Sequence, residues 1–494
     1  MLDWLAVWLL LIFLLLLLFW LLELRRAMPG PWGLPLVGYL PFLNPGQLHL
    51  ELTALAAKYG PLFSLRLGQK HVVVLSDRRL VQAAFNLPQL SGRPDSGLTA
   101  LLAHAGHSAL NFRSIHHPRW ATNRRLAQHS AHLLITSKGS RMASDISRAL
   151  KLLRKRLSRQ SQAVYANELL HPVLETLASG LCFGRPVSLT DPLLRTMASE
   201  FDSILEHQSR LEMLTFLPSL KWFYTKDIKR CSRRIEHLVS TVRSNLPLKK
   251  PGTPQEVGDL SEAFLLAQAE EKEKSSELLQ LDFFEAASQT LSENFQWLLL
   301  FTAAHPPVQE RVHKVLDIGV PSDREPSLCD RPYLVYLEAV LLESLRLASN
   351  LPFAIPHTAV QPVPDFYGFR IPAGALLLAN LFALNHDPAL FPQPHRFLPE
   401  RFLLKSGAGL NQGLAAQSLP FSTGLRACVG EKLARQYLFL LYAGLMRDYR
   451  LELHPADAAR PDLLSPVASF SLFPQPFRLK FTPRQRGRMH FRSI

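Results

Sequence analysis

The chain has 494 residues, 47% of them apolar and 19% charged, so a sizeable core can form and global disorder is excluded. With 55 Lys plus Arg against 40 Asp plus Glu it carries +15, a balance that suits an acidic partner, an anionic membrane surface or nucleic acid. Its four cysteines, Cys182, Cys231, Cys329 and Cys428, are scattered without a CxxC pair, which excludes a disulfide framework.

Residues Trp4 to Leu22 are 19 consecutive apolar positions. As a helix they would span about 28 Å, close to the hydrocarbon thickness of a bilayer. Arg25 and Arg26 follow the run, so the positive-inside rule puts the rest of the chain in the cytosol. A cleaved signal peptide would show basic residues first, a shorter apolar core and a small-residue cleavage site, and none is present. Residues 1–27 are therefore expected to be a membrane anchor. Alternating Pro and Gly from Met28 to Gly38 cannot continue a helix and reads as a stiff hinge over 28–40. No later apolar run approaches the length of a span. Residues 41–482 read as one tethered domain and 483–494 as a basic tail. No basic-aromatic motif appears, and a membrane-facing cytosolic surface accounts for the charge, so nucleic-acid binding is not expected.

Phe63 to Leu75 has alternating and β-branched runs around a Gly-containing turn, the pattern of a hairpin. Trp120 and Arg124, four apart, share a helical face. From about 140 to 245 apolar residues recur three and four apart, and Lys249 to Pro254 is a breaker. Residues 262–346 are again helical, broken at His305-Pro-Pro307 and at 317–332. Near the end of that stretch Glu343 and Arg346 lie one turn apart in an apolar setting. From 353 to 385 short apolar strands alternate with Pro and Gly turns. A loop-rich stretch follows 398, then a helix over about 429–447, then strands to about 482. The tail, with Arg484, Arg486, Arg488 and Arg492, is expected to be frayed and solvated. The fold class is mainly α with a minor β portion, α+β, its sheet split between the two ends of the chain.

The strongest chemical signal is Phe421-Ser-Thr-Gly-Leu-Arg-Ala-Cys428-Val-Gly430 ahead of an apolar helix. A cysteine just before a helix N-terminus is biased toward thiolate by the dipole and the free N–H groups. Gly424 and Gly430 permit tight turns and close approach to a flat ligand. Phe421 can pack beside the sulfur and exclude water, and Arg426 can reach a nearby anion. This spacing resembles the haem-binding loop of the cytochromes P-450, F-x-x-G-x-R-x-C-x-G, at every defined position. The resemblance implies a cytochrome P-450 fold in which Cys428 is the thiolate ligand of the iron of haem b, an arrangement that favours O–O cleavage.

The resemblance covers nearly the whole chain. It implies that Glu343, Arg346 and Arg401, the last from Phe397-Leu-Pro-Glu-Arg-Phe402, form a buried structural triad behind the haem loop. It implies that Trp120, Arg124 and His357 approach the haem propionates. The family's distal helix usually reads A/G-G-x-D/E-T-T/S. Here it aligns with Ala286-Ala-Ser-Gln-Thr-Leu291, which keeps Thr290 but has Ala287 for the glycine and Gln289 for the acid. An amide cannot titrate near neutral pH, so Thr290 and Gln289 are the candidate catalytic residues of an incomplete proton relay.

Arg324 to Ala339 looks like the animal microsomal clan, which holds drug-metabolising enzymes and steroid hydroxylases. Within it the chain is similar to the arthropod ecdysteroid-pathway group called Spook, which also lacks the distal acid. The implied function is a monooxygenase of the endoplasmic reticulum membrane acting on a small apolar substrate, a sterol or steroid. Its electrons would come from an NADPH cytochrome P-450 reductase docked on Arg119, Arg124, Arg125, Lys432 and Arg435. Pocket walls are expected around 100–115, 200–215, 283–290, 351–355 and 467–472. The alternatives are a haem-thiolate isomerase or lyase acting on a lipid peroxide, a xenobiotic or other steroid hydroxylase, and a non-catalytic haem or sterol binder.

Overall fold

The structure is a computed structural model that describes residues 28–484, apart from 105–107, 161, 187, 206–207, 246–252, 272–275 and 469–470. The apolar run at 4–22, most of the 249–254 breaker and the tail beyond Arg484 lie outside the described residues. Among those described, no helix is long and apolar enough to cross a membrane.

Helices dominate. Those that frame the site are α1 (Trp120–Thr136), α2 (Ala166–Phe183), α3 (Ser276–Ala304), α4 (Val335–Ala348) and α5 (Glu431–Asp448). α3 runs through the main core, packed along α2 and against α4 and α5. Phe284, Phe295, Trp297, Leu298 and Phe301 on it are fully or almost fully buried. α3 stops at Ala304 because His305 precedes a proline and leaves the helical region; Pro306 then opens the next helix, Pro306–Gly319.

The main sheet joins residues far apart in sequence. β1 (Leu62–Leu67) and β2 (Lys70–Leu75) form the expected antiparallel hairpin. β2 then pairs in parallel with β4 (Leu376–Ala379), which pairs antiparallel with β3 (His357–Thr358). Val72 to Leu75 are wholly buried, which is why that run is continuously apolar rather than alternating. At the other end of the domain β5 (Tyr449–Leu453) pairs with β8 (Arg478–Pro483). Between them the short hairpin of β6 (Pro466–Ala468) and β7 (Leu472–Pro474) lies on α3, where Trp297 Nε1 donates to the Leu472 carbonyl at 2.9 Å.

Two readings of the ends change in the folded chain. The segment expected as a hinge lies along β1: Ser64 N–H donates to Pro29 O at 2.8 Å, and Gly38 bridges Leu67. A Cβ on Gly30 would collide with the Ser64 carbonyl, so this close approach requires glycine. Arg484, expected in a solvated tail, instead pairs with Asp317 at 2.6 Å and donates to the Met446 and Arg447 carbonyls. The orphan carbonyls at the end of α5 draw it in.

Trp297→Phe keeps an aromatic ring but removes the donor to Leu472 and leaves a small cavity at a fully buried site. The expected cost is about 1–3 kcal/mol in denaturant unfolding, with the fastest gain in amide exchange at the β6–β7 hairpin.

Candidate active site

The 421–430 loop is shaped by its own backbone. Cys428 N–H donates to Phe421 O at 2.9 Å and closes the loop in front of α5. Gly424 has φ +76°, and a Cβ there would lie 2.3 Å from the Phe85 carbonyl. Only glycine meets both demands. The Phe421 ring lies under the Arg435 guanidinium, 4.8 Å from ring centroid to carbon. The Cys428 thiol stays accessible. The protein around it pushes its pKa up, while the backbone N–H groups of Gly430 and Glu431 and the charge of Arg124 pull it down.

Three arginines converge beside this loop. Arg426 donates to the carbonyls of Ser91 at 2.7 Å and Arg113 at 2.6 Å, and lies 4.9 Å from the Trp120 ring. Arg124 donates to Ala427 O at 2.5 Å. Arg93 donates to the carbonyls of Asn111, Ile355 and Pro356 at 2.9–3.0 Å. Among the described residues none of the three pairs with a carboxylate. Burial and mutual repulsion bring Arg426 down to about 7 and Arg93 to about 9. His357 is buried, stacks on Phe85 at 3.7 Å and shares a hydrogen bond with Leu90 O; burial and the same arginines hold it neutral. Trp120 spends its indole N–H on Leu110 O at 3.1 Å.

So much buried, unneutralised positive charge beside one accessible thiol calls for an anionic ligand with a soft metal centre. A haem, with two carboxylates and one thiolate-binding iron, fits these residues.

The segment expected as the distal helix, 286–291, lies on α3. Ala286 and Gln289 are exposed on α3, with Glu285, Ala287, Ser288 and Thr290 half-buried beside them. Thr290 donates its hydroxyl to the Ala286 carbonyl, an i−4 bond that fixes its rotamer. Gln289 Nε2 donates to Glu293 Oε1 at 2.8 Å. One turn and more before them, Asp282 Oδ2 accepts the N–H groups of Ala109 and Leu110 at 2.8 Å each and pins the 108–111 loop to α3. Burial pushes Asp282 up to about 7 despite these bonds, and burial beside Asp282 holds Glu285 well above the carboxylate range.

Behind the loop, Glu343 is fully buried. It accepts from Arg346 at 2.7 and 2.9 Å, from Arg401 at 3.0 Å and from Leu398 N–H at 2.9 Å. Arg346 also donates to Asn385 O at 2.6 Å, and Ser418 donates to the Asn385 side chain at 2.9 Å, a path that runs toward Phe421. The structure thus brings Glu343, Arg346 and Arg401 together on one carboxylate. Of the five basic residues expected on a docking face, Arg119, Arg125 and Lys432 are exposed. Arg124 turns inward to the loop, and Arg435 pairs with Glu431 at 2.9 Å.

Arg93, Asp282 and Glu293 were not marked in the sequence. Arg93 sits in Ser-Gly-Arg-Pro, with no helical period to assign it a face. Asp282 and Glu293 had one signal, an acid at the spacing of Gln289 and Thr290 on an otherwise apolar helix.

Two outcomes follow. Glu343→Gln leaves two arginines without their counter-charge and is expected to cost about 3–5 kcal/mol, read as a lost unfolding transition or loss of bound haem. Asp282 holds a proton in the native state that the unfolded chain releases near pH 4. Stability should therefore fall as pH rises from about 4 to about 7 and level off above. In Asp282→Asn, which keeps an acceptor for the loop, that part of the slope should vanish from denaturation midpoints measured across pH 4–8.

A family model described as cytochrome P-450 matches residues 28–481. The chain is 31% identical over 483 residues to the steroid 17-alpha-hydroxylase/17,20 lyase of Ovis aries, covering 93% of this chain and 92% of that one. It is 28% identical over 453 residues to cytochrome P-450 1A2 of Homo sapiens, covering 87% and 86%. With a family match across almost all of the described residues and relatives of the animal microsomal type, the chain belongs to the cytochrome P-450 family.

Proposed function

We propose that the chain is a membrane-anchored haem-thiolate monooxygenase of the endoplasmic reticulum that oxidises a sterol or steroid. Its class follows from the family: the chain is a cytochrome P-450 monooxygenase. The observation that carries the haem reading is the juxtaposition of accessible Cys428 with buried Arg426 and half-buried Arg93 and Arg124, none of which pairs with a carboxylate among the described residues. The sterol reading is supported by the apolar setting of α3 and by the steroid hydroxylase at 31% identity. The lack of a distal acid, a feature of the Spook group that the chain resembles, supports a sterol precursor of the ecdysteroid pathway as the substrate.

When bound, the haem supplies dioxygen activation, so that one oxygen atom enters the substrate with electrons delivered from NADPH through a reductase. The chain's residues do the rest. Cys428 presents sulfur with two backbone N–H groups that stabilise its thiolate. Arg93, Arg124 and Arg426 would hold the propionates by charge, and neutral His357 would line the same site. Thr290 and Gln289 line the distal side, and Asp282 holds the 108–111 loop over it. Exposed Arg119, Arg125 and Lys432 offer the acidic face of a reductase a basic surface.

A second reading has its own observation. Gln289 cannot titrate and the Thr290 hydroxyl is committed to Ala286, features that suit rearrangement of a lipid peroxide without a reductase. Turnover that requires NADPH and reductase separates the two.

The first test is the carbon-monoxide difference spectrum of the reduced full-length protein. A Soret band at the thiolate–haem position is expected, and its loss in Cys428→Ser. A band at the histidine–haem position in folded wild-type protein would overturn the thiolate assignment.

A further inference from the structure

Glu293 is a carboxyl buried in the core on the distal helix, and none of the roles above uses it. The residue is 6% exposed, and among the described residues its hydrogen-bond partners are neutral donors. Asn350 Nδ2 donates to Oε2 at 2.7 Å; Ser471 Oγ, at 3.2 Å, and Gln289 Nε2, at 2.8 Å, donate to Oε1. The orientation of the Asn350 amide is fixed from a second side, because its Nδ2 also donates to the Leu472 carbonyl at 3.2 Å. Oε2 must therefore accept. Burial raises the Glu293 carboxyl and the bonds from Asn350, Gln289 and Ser471 lower it; in the arrangement seen both of its oxygens accept. Gln289 accordingly turns its nitrogen toward Glu293 and its carbonyl oxygen away from it. Glu293 lies on one side of Gln289 along the helix face, and the exposed remainder of Gln289 borders Thr290 and Ala286. The Thr290 hydroxyl proton is likewise committed, to the Ala286 carbonyl, which leaves its lone pairs outward.

We propose that Glu293 is a positioning residue that locks the Gln289 amide with its carbonyl toward the distal pocket, so that Gln289 and Thr290 together select an apolar ligand carrying a hydroxyl donor over the corresponding ketone. Two acceptors side by side leave a ketone oxygen unpaired against lone pairs, whereas a hydroxyl satisfies one of them. The cost of an unmatched buried polar group makes such a site discriminate against the analogue that lacks the donor. This deepens the sterol reading above and rests on it, because it assumes an apolar ligand beside α3. It narrows that ligand class to alcohols.

The test is calorimetric titration of the haem-loaded full-length enzyme with a rigid matched pair, 2-adamantanol and 2-adamantanone. The wild type is expected to bind the alcohol about three- to tenfold more tightly. In Glu293→Gln the neighbouring amide can turn over, and the ratio should fall to about one with ketone affinity unchanged or raised. A general loss of packing would weaken both probes instead. Where Glu293→Gln does not fold, Gln289→Leu decides, since it leaves Glu293 with Asn350 and Ser471; it too should bring the ratio to about one. Equal affinities in the wild type, a wild-type preference for the ketone, or an alcohol preference that survives both substitutions would overturn the proposal. A haem-loaded enzyme that binds neither probe would overturn the apolar-ligand reading beneath it.

Discussion

The architecture around the site depends on one fully buried carboxylate. Glu343 accepts from two guanidinium groups and a backbone N–H, and those donors come from α4 and from the 396–401 turn. Two arginines on one acid leave net positive charge, which the carbonyls of Pro392, Arg396 and Asn385 share. A charge cluster of this kind contributes little net stability against an apolar replacement, but it tolerates no half-made state. That intolerance gives the turn a single position. Through Asn385 and Ser418 the same constraint extends to the loop that carries Cys428.

The second concentration of charge has the opposite character. Among the described residues Arg93, Arg124 and Arg426 have carbonyl partners and no acid; burial lowers the pKa of all three, and neighbouring arginines lower Arg93 and Arg426 further. The polypeptide alone bears this as a cost. A dianionic ligand removes it, so the free energy of binding and that of folding are coupled at this point. The two clusters divide the work: one is complete within the chain and sets geometry, the other is completed from outside.

Much of this was legible in the sequence where chemistry demands particular residues at fixed spacing. The loop from Phe421 to Gly430, the pair Glu343–Arg346 and the lone Thr290 all sit where the pattern placed them. The hairpin at 62–75 was readable from its Gly turn, and the break at His305 from its prolines. What stayed hidden was long-range. Nothing local tells that Arg93 meets Arg426, 333 positions later, or that Asp282 holds the 108–111 loop, since these partners are backbone atoms that carry no residue signature. The segment 28–40 misled for a related reason: its prolines and glycines describe what the backbone cannot do, not the strand edge on which it comes to rest. Arg484 misled because a terminal arginine looks solvated until the helix end it caps is known.

The parallel pairing of β2 with β4 has a consequence for synthesis. Leu75 and its partner Ala379 are separated by about 300 residues, which at about 5–20 residues per second is roughly 15–60 s of translation. Through that interval the hairpin that leaves the ribosome first presents a continuous apolar edge, Val72 to Leu75, with no strand to cover it. Nascent chains paused before residue 379 would be sticky where the finished enzyme is driest. Chaperone occupancy, or the shelter of a nearby membrane, then becomes a requirement of the topology during birth.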